Sequence, residues 1–161
     1  MAIILRFGTQ VFVGDEPVGR LTGVLLKKKY LELHSLLAAD PGRECTTYPA
    51  GSCQDGDTDR IGLQPDCRGV SLNSADQSVK LITADQKTRV YALDGWISNL
   101  GGVEVDERSH VVNRFIFDMG YHMTRIAGVE RWFVKQFREN ELTLRLTVAE
   151  ITKYPPYLTK I

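Results

Sequence analysis

Asp55-Gly56-Asp57-Thr58-Asp59 spaces oxygen ligands as the opening of a calcium loop does, at positions one, three and five. The rest of such a loop is missing. Position six is Arg60 where a tight turn wants glycine, and position twelve is Asp66 where a bidentate glutamate belongs. The segment therefore reads as a solvated acidic turn. Cys45, Cys53 and Cys67 could supply thiolates to zinc. No Cys-x-x-Cys pair and no neighbouring histidine accompany them, so no metal is expected. The histidines are His34, His110 and His122. Ser109-His110 are adjacent, but a general base must reach its hydroxyl in space and be oriented by a third group. No catalytic residue and no cofactor site are expected. Lys27-Lys28-Lys29 could touch phosphate, yet three lysines at a turn read first as a solvated turn.

Composition agrees. The 161 residues are 43% apolar and 25% charged, as in ordinary folded domains. Lys+Arg and Asp+Glu are both 20, so no global field attracts nucleic acid, which is not expected as a partner. The opening Ala2-Ile3-Ile4-Leu5 is too short for a signal peptide or a spanning helix, so membrane insertion is not expected and a cytoplasmic location is. There the cysteines would be thiols. In an oxidising compartment Cys45 and Cys53 could close a small loop and leave Cys67 over.

The elements that must position these groups are strands. Glu141 to Thr147 alternates strictly, with Leu142, Leu144 and Leu146 on one face. Ser78-Val79-Lys80-Leu81 has the same pattern, and Val111 to Phe117 is β-branched and aromatic. The three leucines are expected in the core with Phe115 or Phe117. Asp94-Gly95 between apolar residues is a hairpin signal. Helix is limited to one turn near Val148-Ala149-Glu150-Ile151, stopped by Pro155-Pro156.

The chain also repeats. Shifted by 79 residues, Val11–Leu26 lies on Val90–Val105 without a gap. Val11/Val90, Asp15/Asp94, Leu21/Leu100, Gly23/Gly102 and Val24/Val103 are identical. The closing strands match at an offset of 63, with Val79 on Leu142, which leaves about 16 extra residues in the first repeat. They fall at about 39–60, in a Gly-, Pro-, Asp- and Cys-rich stretch read as a dispensable surface loop. The chain thus divides into modules 1–83 and 84–161, each of roughly five or six short strands. Closing each into a small barrel would remove its edges. Trp96 replaces Pro17 after the hairpin turn and is expected at the surface, as an interface anchor or packed over the barrel mouth.

Two hairpins, the strand Val112–Phe117, Trp132-Phe133-Val134, Leu142-Thr143-Leu144 and the closing Tyr154-Pro155-Pro156-Tyr157 together resemble the PRC-barrel family. That family includes the cytoplasmic barrel of the photosynthetic reaction centre H subunit and the C-terminal domain of the ribosome maturation factor RimM. The resemblance implies an all-β chain of two tandem small barrels, acting as a non-enzymatic protein-binding or assembly module. A homo-oligomer is a further possibility. The alternatives are an RNA- or ribosome-associated maturation factor and an accessory subunit of a membrane or photosynthetic complex. Trp96, with Tyr48, Cys45 and Cys53 of the extra segment, is the expected partner-binding set.

Overall fold

In the computed structural model the chain is described over residues 2–40, 42–57, 59–71, 80–119, 125–155 and 157–159, the last including backbone alone at 158 and 159, as at 125. Gly95, at φ 144°, and Gly14, at φ 61°, close the two hairpin turns, a backbone region that only glycine enters freely. The strands on either side build the fold. They are β1 (Ala2–Arg6), β2 (Gln10–Val13), β3 (Glu16–Lys27), β4 (Glu32–Ala39), β5 (Thr46–Pro49), β6 (Cys53–Gly56), β7 (Arg60–Leu63) and β8 (Val70–Ser71). The second half adds β9 (Leu81–Asp85), β10 (Arg89–Ala92), β11 (Gly95–Asp106), β12 (Val112–Asp118), β13 (Arg125–Glu130), β14 (Val134–Arg138), β15 (Glu141–Leu144) and β16 (Leu158–Thr159). The one α-helix among the described residues is α1, Val148–Thr152. Thr147 caps it: its hydroxyl accepts from Glu150 N, and Glu150 bonds back to Thr147 N.

Two eight-stranded sheets result, and they exchange their first strands. β2 to β8 form one sheet and β10 to β16 the other. However, β1 pairs with β11, and β9 pairs with β3. The registers are reciprocal. Ala2 faces Asp106 and Arg6 faces Gly102, while Leu81 faces Lys27 and Asp85 faces Gly23, the same pattern 79 residues on. The glycines shared by the repeats sit at these junctions. A Cβ on Gly102 would lie 2.5 Å from the Leu5 carbonyl oxygen, and one on Gly23 would lie 2.8 Å from that of Ala84. The turns before β4 and β12 lock the halves further: Leu33 N donates to His110 O at 2.8 Å, and Val112 N to Leu31 O at 2.9 Å.

Neither sheet closes through hydrogen bonds among the described residues; each is an open path. Edges are covered by packing instead. Gly56 of β6 lies so close to β1 that a Cβ there would meet the Ile4 carbonyl oxygen at 2.8 Å.

The stretch read as a loop at about 39–60 is built into the sheet. It carries β5, a 3-10 turn at Ala50–Ser52 and β6. These repeat β13, the 3-10 turn Arg131–Phe133 and β14. Beyond β4 the two halves align at an offset of 81: Ile61 pairs with Val11 as Leu142 pairs with Val90, parallel in both cases. The match of Val79 to Leu142 is therefore replaced by Ile61 to Leu142, and no 16-residue surplus remains. Ser78 and Val79 lie outside the described residues. β6, Cys-Gln-Asp-Gly, has no strand pattern because its order comes from pairing with β7 and not from its side chains.

The core expectation is met. Leu142, Leu144 and Leu146 are buried with Phe115 and Phe117, and the Phe115 and Phe137 rings lie 5.8 Å apart. One apolar cluster runs from Leu5 and Leu36 to Val129 and Ile151, through both halves.

Candidate functional site

Because the halves share one scaffold, positions where they differ mark what the fold does not require. The contrast is largest at one end of the second sheet. β10 and β15 run parallel and finish there, and β14 begins there opposite Leu144. Leu93 N donates to Leu146 O at 2.8 Å, Arg145 N to Phe133 O at 2.6 Å, and Val148 N to Asp94 Oδ1 at 3.0 Å. The hairpin aspartate thus ties the β10–β11 turn to the start of α1. This end carries Leu93, Trp96 and Trp132, which are 52%, 48% and 65% exposed. The corresponding positions in the first half are Gly14, Pro17 and Gly51.

Trp132 leads into a groove of about 620 Å³ walled by Phe133, Tyr154, Pro155 and Tyr157. The Phe133 ring lies 6.3 Å from Trp132 and 6.1 Å from Tyr154. Tyr157 packs flat over Gly128, where a Cβ would come within 2.8 Å of the ring. Its hydroxyl donates to Glu104 Oε1. Glu104 is buried and also accepts from Arg114 Nη1 at 3.3 Å. Arg114 Nε stands 3.9 Å from Glu130 Oε1, and its guanidinium lies 5.8 Å from the Tyr157 ring centre. Among the described residues the other Glu130 oxygen, which is buried, has no hydrogen-bond partner. In the first half Leu25, Ser35 and Pro49 replace Glu104, Arg114 and Glu130, so the charged network is not demanded by the sheet.

Burial, then the bond to Glu104 and its charge, push the Tyr157 phenol well above its ordinary value of 10.0, against the opposing pull of Arg114. Burial also raises Tyr154, helped by Glu130 and Glu150. A phenol whose folded pKa is raised binds its proton more tightly in the folded state. Its contribution is whole below pH 10 and is lost as pH climbs beyond that. Tyr157→Phe is expected to cost about 1–3 kcal/mol at neutral pH, because Glu104 loses a donor while buried. The deficit should shrink above pH 10, as the native phenol comes under pressure to ionise. Urea titrations of both proteins across that range check it; parallel curves would remove the Tyr157–Glu104 bond from the account.

The side chains singled out in the sequence are scattered. Trp96 is on the surface at the aromatic end. Tyr48 is in the core, its ring against Gly69, and offers no surface to a partner. Cys45 lies with its Sγ 3.5 Å from Thr22 Oγ1. Burial and then Asp55 push the Cys53 thiol up to about 12, and burial raises Cys67 as well. All three cysteines are free thiols, and those of Cys53 and Cys67 are held protonated. Tyr48, Cys45 and Cys53 belong to the first half and Trp96 to the second.

Asp57 caps its own turn, accepting from Asp59 N at 2.7 Å and Arg60 N at 3.0 Å, bonds that hold its carboxyl below the usual range. Among the described residues no three His, Cys, Asp or Glu side chains converge as a metal site. The Ser109 hydroxyl bonds Asp106 Oδ2 at 3.0 Å. His34 Nδ1 is 2.7 Å from Ser35 Oγ, and His122 is outside the described residues. No helix among the described residues is long and apolar enough to cross a membrane.

Sequence reasoning missed Glu104, Arg114, Glu130 and Trp132 as site residues. A signal for the first was present: Val103-Glu104-Val105 overlies Val24-Leu25-Leu26, which puts a carboxylate in a strand position that is otherwise apolar. No family model matches the chain, and no curated protein matches it, so the geometry above carries the functional argument.

Proposed function

We propose that the chain is a tandem PRC-barrel-like protein of the cytoplasm that works as a non-enzymatic protein-binding or assembly module, docking through the aromatic end of its second half. The observation carrying this reading is the asymmetry between repeats. Leu93, Trp96, Trp132 and Phe133 stand where the first half has Gly14, Pro17, Gly51 and Ser52. Large apolar side chains cost solubility when exposed, and tryptophan is enriched among the residues that dominate interface energies. The reciprocal strand exchange supports a rigid pair of modules, each holding the other's first strand. That rigidity suits a platform that presents one fixed face.

Exchanging Trp96 and Trp132 together for alanine is expected to shift the thermal midpoint only slightly, since Trp132 is mostly exposed and Trp96 half exposed. The same variant should lose at least about tenfold in recovery of the natural partner, the usual weight of hot-spot residues. Quantitative pull-down from the native cell, with the wild-type protein alongside, is the measurement. Undiminished recovery by a folded double variant would overturn the reading. Sedimentation of the wild type shows whether a second copy covers the face instead.

One observation favours the RNA-associated alternative. Lys80 joins Lys27, Lys28 and Lys29 around the exposed ring of Tyr30. A steep loss of RNA retention with salt would support it.

A further inference from the structure

We infer that the groove beside Trp132 takes the guanidinium of an arginine carried on an extended segment of the partner protein. This rests on the docking role proposed for that end of the molecule, and adds the chemistry that it reads.

Charge balance comes first. Two carboxylates, Glu104 and Glu130, share one cation, Arg114. Glu104 has a donor on each oxygen, Tyr157 on Oε1 and Arg114 on Oε2. Glu130 does not. A carboxylate has room for about four donors, and among the described residues the cation beside it stands 3.9 Å from one oxygen while the other oxygen is buried with no hydrogen-bond partner. Such a group is under-donated, and a cation set against the 24% of its side chain that stays accessible offsets part of the cost of its desolvation. Arg114 is held by its bond to Glu104 and stands 3.9 Å from Glu130. An anionic ligand is disfavoured for the same reason: among the described residues Arg114 is the one cation lining the groove, it is bound to Glu104, and with Glu104 and Glu130 the local balance is negative.

Shape points to a planar cation. Trp132, Phe133 and Tyr154 line the groove together, the Phe133 ring 6.3 Å from Trp132 and 6.1 Å from Tyr154. A guanidinium stacks on such rings and presents a fork of N–H donors to a carboxylate, whereas an ammonium offers only a point charge. The volume, about 620 Å³, exceeds a single side chain and leaves room for the flanking backbone. The first half has none of this: Pro49, Gly51 and Ser52 occupy the places of Glu130, Trp132 and Phe133.

The probe is the peptide acetyl-Gly-Ser-Arg-Ser-Gly-amide, followed through the indole N–H resonance of Trp132 in the full-length protein. A saturable shift is expected. The peptide with citrulline in place of arginine has the same shape and no charge, and should bind at least about tenfold more weakly; the lysine peptide should fall between. Glu130→Gln should weaken the arginine peptide by a similar factor and leave the citrulline peptide unaffected. Should Glu130→Gln not fold, Trp132→Leu keeps the charge network intact and, followed by titration calorimetry with the same peptide, should weaken binding through the lost stacking face. Equal binding of arginine and citrulline peptides, no shift at millimolar peptide, or full affinity in a folded Glu130→Gln variant would each overturn the proposal. If the tryptophan pair is needed for partner recovery but Glu130→Gln recovers the partner fully, arginine recognition falls while docking stands. If partner recovery survives loss of both tryptophans, docking at this end falls first.

Discussion

Phe115→Ala is expected to destabilise the protein by about 3–5 kcal/mol, the usual cost of removing a buried phenylalanine side chain. Phe115 is fully buried in the middle of the second sheet. Its strand neighbours are Val103 on one side and Val129 on the other, both inaccessible. Above it the Phe137 ring packs at 5.8 Å with the planes tilted by 53°, a favourable arrangement of two ring quadrupoles. The alanine variant loses the transfer energy of the ring, this pair interaction and the contacts of everything that lined it. Little can collapse into the gap, because β11 and β13 hold the strand from both edges. Since a domain of ordinary stability has about 5–15 kcal/mol in hand, the loss is a large fraction of the whole. Urea unfolding followed by far-ultraviolet circular dichroism should show an earlier midpoint at unchanged slope. A loss below about 1 kcal/mol would mean that Phe115 does not face the core.

Leu5→Ala should cost about 2–5 kcal/mol, although the residue is fifth in the chain. Terminal residues usually fray and tolerate change. Here β1 is not a loose end. It closes the far side of β11, with Leu5 opposite Val103 and Phe7 N donating to Gly101 O at 2.9 Å. Leu5 is completely buried and joins the cluster that runs through both halves. Its counterpart 79 residues on is Ala84, so the other junction is already filled by a methyl group. The substitution would hollow one of two reciprocal junctions and loosen the strand that ties the first repeat to the second. Ala2→Gly, at an exposed site on the same strand, is the control and should stay within about 0.5 kcal/mol. If both variants melt alike, the exchange contributes little to stability.

Much of the architecture was legible locally. Alternation placed Leu142 and Leu144 inside, because a strand with one dry face must alternate. Asp94-Gly95 in the second half and Gly14-Asp15 in the first marked both hairpins, and each glycine takes a positive φ there. Thr147 and Glu150 have the spacing of a capping box, and the helix begins there. The gapless repeat contained the shared Gly23 and Gly102, although their purpose was hidden.

What tertiary structure alone decided is which strands belong together. β1 and β9 look like the first strands of their own repeats, and nothing in Ala2–Arg6 or Leu81–Asp85 says that each pairs in the opposite sheet. Hydrogen bonds between strands depend on backbone proximity, which side-chain pattern does not encode. β6 was invisible for a related reason: a short polar strand takes its order from its neighbour. The groove follows the same logic. Glu104, Arg114, Glu130 and Tyr157 come from four segments spread over more than fifty residues, and their electrostatics exist only once β11, β12 and β13 lie side by side. Sequence spacing determined the strands and turns because those forces act over a few residues; the exchange and the charged groove required the whole chain to be folded first.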